Sequence, residues 1–167
     1  MSSRESDLLV ALQSTLFTPA VTRAARSLSH FGEHDLGWLA VAGVGIGVDK
    51  QRRRRWAALG AGTFAAHAAS VVIKRIVRRT RPHDPRVQVG VKTPSTLSFP
   101  SSHATNTAAA AVHLADITGS KTPYVAVPVM MLSRMVLGVH YPTDTLAGAL
   151  LGAGVAAATI KAEKETR

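Results

Sequence analysis

The 167-residue sequence contains no cysteine, and its acidic residues are few. The absence of cysteine excludes disulfide bonds and thiolate metal sites. Ten Asp and Glu residues stand against 20 Lys and Arg residues, which gives a net charge of +10. Glu5 and Asp7 precede only a short apolar stretch, and no cleavage site follows it. We therefore expect no cleaved signal peptide, and no internal repeat or low-complexity tail is evident.

Two long stretches carry no charged residue, 56–73 and 146–160, and 46% of the chain is hydrophobic. A bilayer core of ~30 Å takes about 20 apolar residues per helix. A strongly basic soluble protein would be typical of nucleic-acid binding, but uncharged runs of this length favour a membrane protein. We therefore expect membrane lipids, and no nucleic acid, as partners.

The apolar runs and turn residues predict an all-α fold, a polytopic transmembrane helix bundle with about five spanning or near-spanning helices. The predicted spans are 36–48, 54–79, 101–117, 123–138 and a last helix from residue 142. Amphipathic helices along the membrane surface are predicted before them. The predicted division is an N-terminal amphipathic segment at 1–30, a transmembrane domain at 31–163 and a cytoplasmic tail at 164–167.

Four consecutive arginines, 52–55, follow the first predicted span. The positive-inside rule assigns this basic turn to the cytoplasm. Successive spans then alternate in direction, so the helix ends near Arg81, Ser101 and His140 should share the opposite, extracytoplasmic face.

The segment 133–144 places a histidine and a carboxylate between two apolar runs. Gly138 suits a helix stop and Pro142 suits the first turn of the next helix, so His140 should lie on the connection. Asp144 can then accept a hydrogen bond from one imidazole nitrogen and leave the other nitrogen free to attack. Arg134 offers a planar set of donors for an anion. A plain helix cap explains these residues equally well when they are taken alone.

Two further helix ends carry features of anion binding. Lys74 and Arg81 belong to a cationic stripe before Pro82, and an anion would relieve the repulsion between these charges. At the next helix start, Ser101 is a good N-cap, and the free amides behind it form an anion site. His103 can reach the same anion, where a histidine can protonate an oxygen leaving a phosphorus atom.

Other polar residues of these helices are interpreted differently. Arg75 and Arg79 are predicted to bind lipid head groups at the membrane surface. His67 and His113 lie within apolar helices and are interpreted as buried packing or hydrogen-bonding residues. The connection 83–99 is expected to rim the pocket.

Together the three stretches read Lys-x6-Arg-Pro, Pro-Ser-x-His and Ser-Arg-x5-His-x3-Asp. In order and spacing they resemble the type 2 phosphatidic acid phosphatase family. One departure is Ser102, where that family usually has glycine. A small side chain still fits there, so we expect an adjusted pocket with activity retained. The resemblance implies a helical membrane phosphatase that needs no metal or other cofactor.

The same resemblance implies a role for each site residue. His140 would be the nucleophile that forms a phosphohistidine, oriented by Asp144. His103 would be the acid for the leaving oxygen and later the base for water. The phosphoryl oxygens would be held by Lys74, Arg81, Ser101, Ser102 and Arg134.

The segment Ser-His-Phe-Gly-Glu-His, followed by Gly-Trp at 37–38, carries a closer likeness. It resembles actinobacterial members of that family acting on decaprenylphosphoryl-5-phosphoribose, in the route to cell-wall arabinan. This implies a lipid-linked phosphate as substrate and the bacterial plasma membrane as location. Glu33 and His34 are predicted to meet the substrate's head group, because a carboxylate and an imidazole suit ribose hydroxyls. Capping of a helix at the interface explains them nearly as well.

Other functions remain open at this point. The same site suits undecaprenyl diphosphate or phosphatidic acid. Vanadium haloperoxidases share this kind of anion site, but they are large and soluble, unlike this short apolar chain. A non-enzymatic membrane scaffold or lipid-binding subunit would also account for the basic clusters.

Overall fold

The computed structural model describes residues 3–166, and within that range the fold is all-α, as predicted. Among these residues no β-strand is present, and Thr80 and Leu97 form only an isolated bridge. Residues 1–2 of the predicted N-terminal segment and residue 167 of the predicted tail lie outside the described range. The α-helices are α1 (Ser3–Leu16), α2 (Pro19–Phe31), α3 (Leu36–Val48), α4 (Arg53–Val77), α5 (Ser102–Thr118), α6 (Ala126–Val136) and α7 (Pro142–Glu165).

Helix α5 lies at the centre of the bundle, where small side chains bring the helices close together. Ala66 of α4, Ala109 of α5 and Ala156 of α7 form one buried cluster. At Gly152 of α7 an added Cβ would lie only 2.0 Å from the carbonyl oxygen of Thr105. Glycine is therefore required for this approach of α7 to α5.

The helices run alternately up and down, so their ends meet at two opposite faces. At one face the Lys164 ammonium lies 2.7 Å from a carboxylate oxygen of Asp116, which joins the last turns of α7 and α5. At the other face the amide of Ser101 donates to the carbonyl of Asp144 at 3.0 Å. The predicted alternation is confirmed for α4 to α7, and it gathers the end of α4 with the starts of α5 and α7.

Helix length separates two of the helices from the rest. Within the described range, the helical stretches 50–77 and 142–165 are long and apolar enough to cross a bilayer. Helix α3 has 13 residues, about 20 Å of rise, which is short for a core of ~30 Å. The helical bundle is confirmed, whereas the count of five spanning helices stays a prediction.

The N-terminal helices α1 and α2 pack against the bundle through their buried faces, and α2 has the clearer amphipathic pattern of the two. Leu9 of α1 packs with Val87 and Tyr141, and Ala25 of α2 packs with Leu137 and Val139. The partners of both helices lie around the end of α6 and the connection 137–141. These helices therefore close the same face of the bundle at which α5 and α7 begin.

Candidate active site

A cavity of about 690 Å³ opens at this face. Its walls come from α2 and the turn after it, from α4, from the connection 90–97, and from the ends of α5 and α6. The residues that line it and matter below are Gly32, Glu33, His34, His67, Lys74, Arg75, Arg81, Ser102, His103, Arg134 and His140. Most of the predicted site residues thus meet around one space.

His140 lies on the connection between α6 and α7, as predicted. Helix α6 ends before Gly138, whose φ of +67° and close approach to the carbonyl of Gln88 require glycine. Pro142 then begins α7. The turn leaves the His140 side chain almost fully buried, with 2% of its surface exposed.

Asp144 lies behind His140 and faces it across 3.6 Å, measured from the carboxylate Oδ2 to Nδ1 of the imidazole. This is longer than a hydrogen bond, and the buried Nδ1 has no hydrogen-bond partner among the described residues, so the predicted bond is not formed in this structure. The same oxygen accepts a hydrogen bond from the amide of Tyr141 at 2.8 Å. The other oxygen, Oδ1, accepts from Arg79 at 2.8 Å. The carboxylate is therefore held in place from two sides, next to the nitrogen that faces away from the cavity.

Arg81 contacts the other imidazole nitrogen, with its Nη1 lying 3.1 Å from Nε2 of His140. A guanidinium can only donate, so Nε2 carries a lone pair and the ring proton lies on Nδ1, towards Asp144. Burial, together with the charges of Arg81, Arg134 and Lys74, holds the pKa of His140 well below its usual range. The imidazole is therefore neutral at physiological pH, with its lone pair available.

The guanidinium of Arg81 is itself fixed by backbone carbonyls. It donates to the carbonyl of Val139 at 2.7 Å and to that of Ser95 at 2.8 Å. Burial lowers the pKa of Arg81 to about 10, so the side chain still carries its charge at neutral pH.

His103 and Arg134 converge on a single residue of α2, Ser29. The Nε2 atom of His103 lies 2.9 Å from the Ser29 carbonyl oxygen, and Nη1 of Arg134 donates to the Ser29 hydroxyl at 2.7 Å. A carbonyl only accepts, so Nε2 of His103 carries a proton and Nδ1 is the nitrogen open to protonation. Arg134 is buried, and its Nε atom has no partner among residues 3–166.

The start of α5 differs in one respect from the sequence prediction. Ser101 is fully buried, caps the amide of Ala104 at 3.4 Å as predicted, and is not among the residues that line the cavity. Ser102 does line the cavity, and its hydroxyl accepts from Ser70 at 2.8 Å. Lys74 lines the cavity too, and its ammonium donates to the carbonyl of Pro100 at 2.9 Å.

The charge of the cavity is strongly positive. Six of its lining residues are Lys or Arg, namely Arg26, Lys74, Arg75, Arg81, Lys92 and Arg134, and only Glu33 is acidic. Such a wall favours a multiply charged anion such as a phosphate. The described part of the chain contains no group of three His, Cys, Asp or Glu side chains placed to hold a metal ion.

Glu33 and His34 lie on the short turn between α2 and α3 and both line the cavity. His34 has a φ of +50°, and the next residue, Asp35, has a φ of +65°. This left-handed turn holds the two side chains at the rim. Their predicted contact with a substrate head group stays a prediction.

Three residues of the site have structural settings that the sequence did not predict. Arg79, which we expected at lipid head groups, instead donates to Asp144, pairs with Glu5 of α1 and lies 4.2 Å above the ring of Tyr141. Ser29 carried no signal of its own. His67, which we interpreted as a buried packing or hydrogen-bonding residue, lines the cavity and forms a hydrogen bond with Asn106.

The sequence is similar to that of known proteins over most of its length. The model of the PAP2 superfamily matches residues 55–167. The decaprenylphosphoryl-5-phosphoribose phosphatase of Mycolicibacterium smegmatis is 58% identical over 145 residues, covering 86% of this chain and 81% of that protein. The Mycobacterium tuberculosis protein of the same name is 53% identical over 154 residues, covering 92% and 87%.

Two solved structures share the fold. A transmembrane PAP2-type phosphatidylglycerolphosphate phosphatase from Bacillus subtilis gives a TM-score of 0.76 at 20% identity, covering 99% of this chain and 89% of that one. LpxE from Aquifex aeolicus gives 0.78 at 18% identity and covers 93% of both chains. The likeness to the Bacillus subtilis structure covers nearly the whole chain and so includes α1–α3, which lie outside the region matched by the family model.

Proposed function

The chain belongs to the PAP2 superfamily, and we propose that it is a membrane phosphatase that hydrolyses a lipid-linked phosphomonoester through a phosphohistidine. The observation that carries this proposal is the meeting of two histidines, three buried or half-buried cations and a helix start around one cavity. Phosphoryl transfer needs little more than in-line positioning and compensation of charge on the equatorial oxygens.

In the first step Nε2 of His140 attacks the phosphorus atom, and the bond from phosphorus to the leaving oxygen breaks. Asp144 faces the proton-bearing Nδ1 side of the ring and stabilises the positive charge that the ring acquires. His103 donates a proton to the leaving oxygen, which departs as a hydroxyl group. Lys74, Arg81 and Arg134 compensate the negative charge on the phosphoryl oxygens.

In the second step a water molecule replaces the departed alcohol. The now neutral His103 takes a proton from that water, and the oxygen attacks the phosphorus of the phosphohistidine. The bond between phosphorus and Nε2 breaks, inorganic phosphate leaves, and His140 is neutral again. No metal or other cofactor takes part in this scheme. Ser102 supports the phosphate site, while Ser101 acts as the helix cap that exposes the first amides of α5.

We propose decaprenylphosphoryl-5-phosphoribose as the substrate and decaprenylphosphoryl-ribose as the product, used in making cell-wall arabinan. Two relatives more than 50% identical over most of the chain carry that substrate in their name. The positive cavity suits a terminal phosphate, and Glu33 and His34 at its rim suit ribose hydroxyls.

The protein is proposed to lie in the bacterial plasma membrane with the cavity on the extracytoplasmic face. The basic turn at 50–55 marks the opposite end of the bundle. Because the chain lacks cysteine, a single introduced cysteine is the only thiol that can be labelled, and its labelling shows which side of the membrane it faces. His83→Cys should react with an impermeant maleimide in intact cells, whereas Lys121→Cys should react only after the cells are opened. The reverse labelling would contradict this orientation.

The reaction is tested by mixing the enzyme with substrate labelled in its 5-phosphate and stopping the reaction without acid, so that an acid-labile label stays on the protein. Wild-type protein should carry label that is released by acid and withstands alkali, and His140→Ala should carry none. The same preparations should be given undecaprenyl diphosphate and phosphatidic acid. Faster turnover of either compound than of the phosphoribosyl lipid would reject the proposed substrate. Absence of both labelling and turnover in folded wild-type protein would reject the enzyme.

A further inference from the structure

His67 of α4 lies in the cavity wall but belongs to none of the three motif stretches. It precedes Lys74 by seven residues, so along the helix axis it lies about 10 Å further from the end of α4. It is nonetheless close enough to both His34 and His103 for electrostatic interaction. The His67 side chain thus shares one cavity with the phosphate-binding residues and with the residues proposed to meet the head group.

A buried amide fixes the orientation of this imidazole. The Nδ2 atom of Asn106, on α5, lies 3.1 Å from Nδ1 of His67, and Asn106 is completely buried. An amide nitrogen only donates, so Nδ1 of His67 accepts and the ring proton lies on Nε2. In the turned orientation the amide oxygen would accept from Nδ1 and both N–H donors would be left without a partner, and unpaired buried N–H groups are rarer in proteins than unpaired carbonyl oxygens.

The amide oxygen of Asn106 has no partner among the described residues. Asn106 therefore gives up one hydrogen bond in order to hold His67 as a neutral donor. A packing residue needs no such arrangement, because a histidine in the interior is satisfied by any acceptor. His113, which bonds the hydroxyl of Thr159 at 3.0 Å and does not line this cavity, is an example.

The proposed substrate has acceptors at the corresponding place. Its 5-phosphate is joined to a ribose, and the ribose is joined through a second phosphoryl group to the prenyl chain. When the 5-phosphate occupies the site of His140 and Lys74, the ribose and the second phosphoryl group must lie in the rest of the cavity, and His67 lines its wall. We infer that His67 donates a hydrogen bond from Nε2 to an oxygen of this phosphoribosyl head group, with Asn106 as its positioning residue.

This inference rests on the proposed function and makes His67 a determinant of substrate choice. It is tested with two lipids that share one prenyl chain, farnesylphosphoryl-5-phosphoribose and farnesyl phosphate. The second has the scissile phosphate without the sugar. In His67→Phe, kcat/KM for the phosphoribosyl lipid should fall about tenfold more than kcat/KM for farnesyl phosphate. His67→Gln, which keeps an N–H donor, should restore a large part of the preference.

A second variant tests the orientation of the ring. In Asn106→Asp a carboxylate accepts from Nδ1, so the proton leaves Nε2 and the donor is lost. This variant should lose the same preference although His67 is unchanged. His113→Gln is the matched control, and it should change the two rates by equal factors. Thermal unfolding in detergent identifies any variant whose loss comes from misfolding.

The outcomes separate the inference from the function on which it rests. Wild-type protein that does not prefer the phosphoribosyl lipid would overturn the proposed substrate, and the inference with it. A wild-type preference that survives intact in both His67→Phe and Asn106→Asp would overturn the inference alone. Equal losses on both lipids in those variants would also overturn it, because His67 would then act on the phosphate or on the fold.

Discussion

Replacing Gly32 by alanine should slow catalysis strongly without unfolding the enzyme. Gly32 ends α2, and its φ of −84° is normal for alanine. An added Cβ would lie 2.6 Å from Cδ2 of His103, where ordinary van der Waals contact begins at 3.4 Å. The ring must therefore move by roughly 1 Å. That movement also strains the 2.9 Å bond from Nε2 of His103 to the carbonyl of Ser29.

A displacement of about 1 Å at a catalytic group can cost about 10²-fold in rate, equivalent to roughly 2.7 kcal/mol of barrier. We therefore expect kcat to fall by about two orders of magnitude in Gly32→Ala. Phosphate release from the lipid substrate in detergent measures it, with thermal unfolding recorded beside it. Gly43→Ala is the matched control, because nothing lies within 4 Å of a Cβ there. It should keep full activity and gain roughly 0.5–1 kcal/mol of stability.

Wild-type kcat in Gly32→Ala would refute the placement of His103 against α2. It would also remove the reason for including the N-terminal helices in the site.

Three further predictions concern charge in and around the site. Asp144→Asn should lower kcat by about 10³-fold while the phosphoryl-binding cations keep KM within a few-fold, and a loss confined to KM would contradict the orienting role. The pKa of His140 is held well below its usual value, so kcat/KM should not fall through protonation of the nucleophile until the pH is far below 6.5. A loss of kcat/KM centred at about pH 6.5, at a pH that shifts in Arg81→Met, would contradict the assigned pKa. Burial raises the pKa of Asp35 to about 6, so the unfolded chain loses this proton first and the free energy of unfolding falls as pH rises from about 4 to about 6. Asp35→Asn should therefore raise the free energy of unfolding by about 1–3 kcal/mol at pH 7 and by little at pH 4. Equal unfolding temperatures of the two proteins at pH 7 would show that burying the carboxylate has no cost.

The sequence predicted the features that local chemistry determines. Ser101 caps α5, Gly138 follows the end of α6 in a left-handed conformation, and Pro142 begins α7. Each of these residue types acts on the backbone beside it, so its effect can be read without knowledge of the rest of the chain. The alternation of the helices followed from the same helix ends and from the basic turn.

The partners of the site residues could not be predicted in this way. Ser29 meets Arg134 across 105 residues of sequence, and no local pattern marks Ser29. Arg79 shares a basic run with exposed arginines and differs from them only because Glu5 and Asp144 lie next to it. His67 faces a cavity that exists only once α2, α4 and α5 are packed. These contacts depend on tertiary structure, whereas the sequence carries only propensity and spacing.

The central claim is that Nε2 of His140 attacks the phosphorus and forms a covalent intermediate. The most direct measurement is the stereochemical course of hydrolysis, with a 5-phosphate made chiral by three oxygen isotopes. Two successive in-line displacements each invert the phosphorus, so we predict net retention of configuration. Net inversion would mean that water attacks the substrate directly and would contradict the role given to His140.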